Sequence, residues 1–223
     1  MRISNQPNAQ ALPKQASSVK SAQKQAPFLP GDVYQAVPRH VQNEDGKPGD
    51  PVNLIIEGNR AQIQETFKRA GWIEADPLNL WSSIKMVFCT LFGRPYDSAP
   101  VSSLYLGSDK HPQDLAFERP TTTTKERDHV RLWDTGKQDA TGQEVWIASA
   151  TKDVGIEMNK RDFGPTHRIS PNVDHERDLV VQTLTRAGAQ EAGVWDRGLL
   201  TGINGEGDRY WTDGQVDRLK ILS

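Results

Sequence analysis

The strongest constraint on the fold is a series of segments in which polar and apolar residues alternate, because a period of two is typical of a strand with one buried face. Clusters of Gly, Pro, Asp or Thr separate these segments, as turns do. Their close spacing, and the polar connection at Thr135–Gln143, predict antiparallel neighbours joined as a meander. The alternating segments are Val101–Ser108, Asp114–Arg119, Asp128–Asp134 and Glu144–Asp153.

Helix patterns flank this meander on both sides. Asn59 is a suitable cap for a helix whose apolar residues Ile63 and Phe67 recur four positions apart. A second apolar stripe predicts a helix over Leu80–Leu91, and acidic residues from Asp174 onward suit the first turn of a third helix.

The predicted fold class is α+β. The predicted order is β-α-α-β-β-β-β-(β)-α-β, with outer strands at Pro51–Gly58 and Val216–Leu222 and a Gly-rich loop at Glu191–Gly207. Helices grouped at the ends of a strand meander favour an antiparallel sheet with helices packed on one face, which is a two-layer sandwich.

The hydrophobic fraction of 35% is low, and the amino-terminal segment lowers it. Residues 1–30 are rich in Gln, Ala, Ser, Lys, Asn and Pro and contain no acidic residue. Such a segment cannot bury enough apolar surface to offset its ordering entropy. We therefore expect a disordered tail and linker over residues 1–49 and one folded domain over residues 50–223.

The net charge and the hydropathy of the chain limit the binding partners and the cellular location that we predict. The net charge of -2 excludes a globally basic nucleic-acid binder, and the basic tail leaves the folded domain more acidic than the whole chain. We expect no nucleic acid on the folded domain and no membrane span, because the longest apolar run is half as long as a bilayer requires. A cytoplasmic protein is predicted, with export without a cleavable signal peptide as the alternative.

One predicted strand carries the first candidate site. His129, Arg131 and Trp133 alternate, so they share one face of the sheet while Val130 and Leu132 occupy the other. Imidazole and guanidinium groups side by side suit a phosphate or carboxylate, which makes this face a candidate platform for an anionic group. The alternative is a solvated face without a ligand.

The segment THRISPNVDHERD supplies further candidates. His167 and Arg168 precede the third helix, and Asp174 at its start would orient His167 as a general acid–base pair. Asp153, at a predicted strand end, is an alternative orienting carboxylate for His129 and His167, and the three together would also form a metal site. The structural alternatives are capping and ion pairs for the helix acids and a turn at Asp153.

The candidates divide by role, and no cofactor or metal is expected. The sequence lacks HExxH, paired CxxC, EF-hand, GxxxxGK[ST] and GxSxG motifs. The catalytic candidates are His129, His167, Asp153 and Asp174, and the binding candidates are Arg131, Trp133 and Arg168.

Eight segments carry a family resemblance: DPVNLIIEG, ADPLNLWSSIKM, LFGRPYDSAPVSSLYL, DLAFERP, RDHVRLW, VWIASATKDVG, THRISPNVDHERD and YWTDGQV. Together they resemble the C-terminal domain of LssY-type bacterial proteins, over about Asp50 to Leu222. The family is known as a domain of unassigned biochemistry that in many members follows membrane-embedded modules. The resemblance therefore implies a domain identity and no particular reaction.

Two functional hypotheses follow, and the sequence leaves open whether the protein is an enzyme. The first is a non-catalytic ligand-binding or interaction module, whose His/Arg/Trp platform binds an anionic small molecule or a protein. The second is a small hydrolase-like enzyme, whose His/Asp/Arg candidates act on an anionic, phosphate-bearing substrate.

Overall fold

The computed structural model describes residues 31, 33, 37–43, 45–75, 104–107, 110–121, 126–158, 165–204 and 207–222. Only the backbone is described at residues 120, 156–158 and 165–167. Two sequence predictions lie outside the described residues, namely the disordered segment 1–30 and the helix over Leu80–Leu91.

The described residues form fourteen strands and two helices. The helices are α1 (Arg60–Arg69) and α2 (Asp174–Arg186). The strands are β1 (His40–Gln42), β2 (Pro48–Pro51), β3 (Leu54–Glu57), β4 (Ile73–Glu74), β5 (Tyr105–Leu106), β6 (His111–Pro112), β7 (Leu115–Pro120), β8 (Arg127–Gln138), β9 (Glu144–Met158), β10 (Pro165–Ile169), β11 (Gln190–Asp196), β12 (Leu200–Ile203), β13 (Arg209–Thr212) and β14 (Gln215–Lys220).

Eight strands form the main sheet. Its order is β11-β14-β3-β9-β8-β7-β4, and β10 pairs with β9 beyond the end of β3. The meander prediction is confirmed for β7, β8 and β9, which are antiparallel neighbours. The sheet is nevertheless mixed, because β14 and β3 are parallel. A small sheet, in the order β2-β1-β5-β6, and the hairpin of β12 and β13 are separate from it.

The predicted fold class, an α+β two-layer sandwich with helices on one face of a meander, is wrong. In the part of the chain that the structure describes, β-structure dominates and forms three sheets beside two helices. The physical reason lies in the central strands, which bury both faces: Leu54 and Ile56 enter one core, whereas Ile55 enters another. A second layer of strands therefore covers the face that the sandwich prediction left to solvent.

The two cores lie on opposite faces of the main sheet. In the first, Ile63 and Phe67 of α1 and Val180 and Leu184 of α2 pack against the sheet. In the second, Val41 of the small sheet packs against strands β3, β8 and β9. Both cores consist of buried aliphatic and aromatic side chains, and their burial supplies the main favourable term in folding.

Helix α1 begins and ends where the sequence predicts. The Asn59 side chain accepts a hydrogen bond of 2.9 Å from the Gln62 backbone N–H, and the Gln62 side chain accepts one of 3.0 Å from the Asn59 N–H. This capping box satisfies two N–H groups that the first turn leaves without partners. Gly71 ends the helix with a φ of +83°, a conformation that favours glycine.

Two further sequence predictions concern the Gly-rich loop and the start of the folded domain. The loop prediction at Glu191–Gly207 is wrong, because this segment contains most of β11 and all of β12. β1 and the first residues of β2 precede residue 50, and Val41 is fully buried; the division of the chain at residue 50 stays a prediction. Neither described helix has the length and apolar character that crossing a membrane requires.

Candidate functional site

His129 and Trp133 of the strand platform are buried between the main sheet and the small sheet, and Arg131 between them is partly buried. All three side chains share one face, as the alternation predicts, while Val130 and Leu132 enter the core under the helices. Trp133 is fully buried in the second core. Protein therefore covers His129 and Trp133, whereas the Arg131 side chain keeps 19% of its surface exposed.

His129 of β8 and Asp153 of β9 form a buried pair. His129 Nε2 lies 2.8 Å from Asp153 Oδ2, and the two residues are 5% and 8% exposed. Asp153 is opposite Arg127 in the β8–β9 register, two positions from His129 along the same face. Two of the catalytic candidates are thus in direct contact, in the geometry of an imidazole held by a carboxylate.

Arg131 forms an ion pair with Asp50 on the same face of the main sheet. Its Nη1 donates a 3.0 Å hydrogen bond to Oδ2 of Asp50, which lies on β2 of the small sheet. Burial raises the pKa of Asp50 above its ordinary value, while the charge of Arg131 acts in the opposite direction. The charges of Asp153 and His129 also reach Asp50, so the two ion pairs belong to one network.

His40 and Tyr210 extend this network toward the hairpin. The Tyr210 hydroxyl contacts His40 Nε2 in a short hydrogen bond. Burial, and then the charges of Arg197 and Arg39, lowers the pKa of His40. Burial, and then the charge of Asp50, raises the pKa of Tyr210 to about 12. Both shifts favour neutral partners, so the tyrosine O–H donates to the imidazole.

These residues form one group that we name the inter-sheet cluster. It joins five strands, namely β1 and β2 of the small sheet, β8 and β9 of the main sheet and β13 of the hairpin. Its members are His40, Asp50, His129, Arg131, Asp153 and Tyr210.

Gly202 on β12 makes room for Tyr210 on β13. The two residues are direct partners in the hairpin, and a Cβ at Gly202 would lie 2.5 Å from the Tyr210 hydroxyl and 2.7 Å from the ring carbon that bears it. Such distances are far below van der Waals contact, so any side chain at Gly202 must displace the ring.

Gly202→Ala is therefore expected to separate Tyr210 from His40. We expect a loss of about 1–3 kcal/mol in unfolding free energy, as for overpacking of a buried site, and a fall of the Tyr210 pKa from about 12 toward its ordinary value. The pKa is followed by NMR of the tyrosine ring carbons, and stability by chemical denaturation. Gly155→Ala is the control, because a Cβ at Gly155 meets no atom within 4 Å. An unchanged Tyr210 pKa would contradict the proposed displacement.

The remaining sequence candidates are Asp174, Arg168 and His167. Asp174, the first residue of α2, accepts hydrogen bonds from the Thr212 hydroxyl at 2.6 Å and from the Asp213 N–H at 2.8 Å. Asp174 therefore connects the start of α2 to the turn between β13 and β14. Arg168 is exposed on β10. The backbone of His167 pairs with Ile156 of β9, and its side chain lies outside the described part of the chain.

Three members of the cluster, namely His40, Asp50 and Tyr210, are not among the residues that the sequence predicts for a site. His40 and Tyr210 are 170 positions apart, and Asp50 and Arg131 are 81 positions apart. No local motif spans such separations, and His40 has the sequence surroundings of a surface residue. Only the packing of the small sheet and the hairpin on the main sheet brings these residues together.

The fold and the cluster define a β-dominated domain with a buried polar network between two sheets. Among the described residues, no group of three or more His, Cys, Asp or Glu side chains is arranged to hold a metal ion. The chain belongs to the LssY C-terminus family, whose model matches residues 34–216, and the resemblance seen in the sequence is thereby confirmed. No curated protein and no solved structure matches the chain.

Proposed function

We propose that the domain is a non-catalytic ligand-binding module in which the inter-sheet cluster is a structural network and not a reaction centre. The observation that carries this proposal is the internal pairing of the charged candidates on β8: His129 contacts Asp153 and Arg131 contacts Asp50. Paired groups under a covering sheet are poorly placed to reach a substrate, and their partners already neutralise the charges that an anion would use.

A hydrolase-like enzyme is the second candidate function, and one observation favours it. The 2.8 Å contact between His129 and Asp153 is the geometry in which a carboxylate orients an imidazole as a general base. Under this alternative the small sheet would have to open, so that His129 could accept a proton from an attacking water.

His129→Leu separates the two functions. As a structural residue, His129 is expected to contribute about 2–4 kcal/mol of unfolding free energy, because its loss leaves the buried Asp153 carboxylate without its imidazole. Stability is measured by chemical denaturation, and hydrolysis is assayed with p-nitrophenyl phosphate and p-nitrophenyl acetate. We expect the wild type and the variant to hydrolyse both esters at the rate of buffer alone.

The matched control is His175→Leu, which changes an exposed histidine on α2. It should leave unfolding free energy within about 0.5 kcal/mol, as surface substitutions do. Hydrolysis by the wild type that His129→Leu abolishes and His175→Leu retains would refute the binding-module proposal and establish the enzyme.

A further inference from the structure

The β12–β13 hairpin presents apolar side chains to solvent. Leu199, which directly precedes β12, is 76% exposed, and Ile203 and Trp211 are 57% and 45% exposed. Thr201 and Trp211 are direct partners in the ladder, as are Ile203 and Arg209, so these four side chains lie on one face of the hairpin. Neighbouring apolar side chains exposed on a protein surface are typical of an interaction site.

The outer edge of β12 is open to another strand. Alternate pairs of an antiparallel ladder are hydrogen-bonded, and in this hairpin the Asn204 N–H donates to the Asp208 carbonyl at 2.9 Å. Thr201 and Ile203 therefore belong to the pairs that do not bond across the hairpin, and their N–H and C=O groups point away from β13. In the described part of the chain, β12 pairs with β13 on one side and has no strand on the other.

Other sheet edges in the described structure carry features that hinder pairing with a second chain. β2 contains two prolines, and β4 and β6 are two residues long. β11 contains Glu191, Asp196 and a bulge beside Gly193. Charges, prolines, bulges and short length are the usual protection of an edge strand. The sequence of β12, LTGI, has no charge and no proline, and its register with β13 has no bulge.

We infer that the outer edge of β12 pairs with the same edge of a second copy of the chain, antiparallel and about a twofold axis beside Thr201. In this register Thr201 faces Thr201 of the second copy, and Leu199 of each copy faces Ile203 of the other. The outward N–H and C=O groups of Thr201 and Ile203 are then paired, and the facing side chains form favourable Thr–Thr and Leu–Ile contacts. This self-association is a further property, separate from the proposed ligand binding.

The charges of the hairpin suit a second copy as the partner. Arg209 is exposed at the turn end of β13, whereas Asp213 follows β13 at the other end, contacts Arg177 and keeps 38% of its side chain exposed. Antiparallel pairing places the Arg209 end of one hairpin at the level of the Asp213 end of the other, so opposite charges approach on both sides of the axis. Twofold pairing of β11 would instead gather the like charges of Glu191 and Asp196.

Sedimentation velocity of the full-length chain tests the inference. A single short strand buries less than the roughly 800 Å² per partner of a standard interface, so we expect a weak dimer that forms as the concentration rises. Between about 1 and about 500 µM, a range that includes weak affinities, the weight-average mass should rise from that of one chain toward that of two.

Thr201→Lys places like charges opposite each other at the axis and should weaken dimerisation about 5-fold. Because Thr201 is exposed, chemical denaturation should give the midpoint of the wild type. Thr185→Lys is the matched control, since it makes the same change at an exposed position on α2. It should dimerise within about twofold of the wild type, as screening of distant surface charges implies.

A mixture of two variants tests the position of the axis. Thr201→Lys and Thr201→Glu in equal amounts should dimerise more tightly than either variant by itself, because opposite charges then face each other. A wild type that stays monomeric over the whole range, or Thr201→Lys that dimerises as the wild type does, would overturn the inference. A mixture that associates no better than its components would also overturn it, because position 201 would then not face its own copy.

Discussion

Arg177→Met is expected to lower the unfolding free energy by about 4 kcal/mol, since removal of one partner from a buried ion network leaves the other charges uncompensated. Arg177 lies on α2, and its side chain is only 2% exposed. For a domain of this size the loss corresponds to a fall in melting temperature of about 12 °C. It is the most damaging single substitution that we expect among the charged residues of the structure.

The contacts of Arg177 explain this expectation. Its guanidinium is 2.7 Å from Asp213, 2.8 Å from Asp217 and 2.8 Å from Asp178. It also contacts Asp174 at 3.3 Å, and Asp174 and Asp217 are themselves buried. The arginine therefore links α2 to the turn between β13 and β14 and to β14 itself.

Thermal and chemical denaturation of three variants tests this role. Arg177→Lys retains the charge but loses the planar fork of donors, so an intermediate loss is expected. Arg186→Met removes an exposed arginine from the last turn of the same helix and should cost no more than about 0.5 kcal/mol. If Arg177→Met were as stable as Arg186→Met, the network would have no structural importance.

Local sequence signals predicted local structure well. The helix cap at Asn59 and the period-two pattern of β7, β8 and β9 depend on neighbours within a few positions, and the structure confirms both. The fold class failed because consecutive apolar residues, such as Leu54 to Ile56, indicate burial on both faces without indicating what covers each face. Here helices cover one face and strands cover the other.

For the candidate site, too, contacts between neighbouring strands could be predicted, whereas contacts made by tertiary packing could not. His129 and Asp153 lie 24 positions apart on adjacent strands, so the alternation of β8 and β9 is enough to bring them to one face. Asp50 and Tyr210 reach the cluster only through tertiary packing. The acidic residues at the start of α2 were predicted to interact favourably with the helix dipole, which is a local effect. In the structure one of them, Glu176, is also buried beside Asp128 of the main sheet.

Glu176 is buried on the opposite face of the main sheet from the inter-sheet cluster, with 2% of its surface exposed. Burial, and then the charge of Asp128, raises its pKa to about 9, although Lys152 and Arg119 act in the opposite direction. Neither Glu176 Oε1 nor Asp128 Oδ1 has a hydrogen-bond partner in the described structure. A protonated Glu176 can donate a hydrogen bond to the Asp128 carboxylate, which two ionised carboxylates cannot form.

Glu176→Gln is therefore expected to stabilise the domain increasingly as the pH rises above about 5. The folded state retains the Glu176 proton up to about pH 9, whereas the ordinary pKa of a glutamate side chain is 4.5. Between these values the folded state binds more protons, so the unfolding free energy falls as pH rises. From pH 5 to pH 8 this contribution amounts to at most about 4 kcal/mol. Glutamine donates an N–H to Asp128 at every pH and removes the loss.

Denaturant midpoints at pH 5, 6, 7 and 8 measure this linkage as the difference between the two proteins, because titrations common to both cancel. We expect the difference to be small at pH 5 and to grow in favour of Glu176→Gln as pH rises. Glu65→Gln, at an exposed position on α1, should follow the wild type throughout. Parallel curves for wild type and Glu176→Gln would mean that Glu176 ionises as freely in the folded chain as in the unfolded one. The buried carboxyl pair would then contribute nothing to the pH dependence of stability.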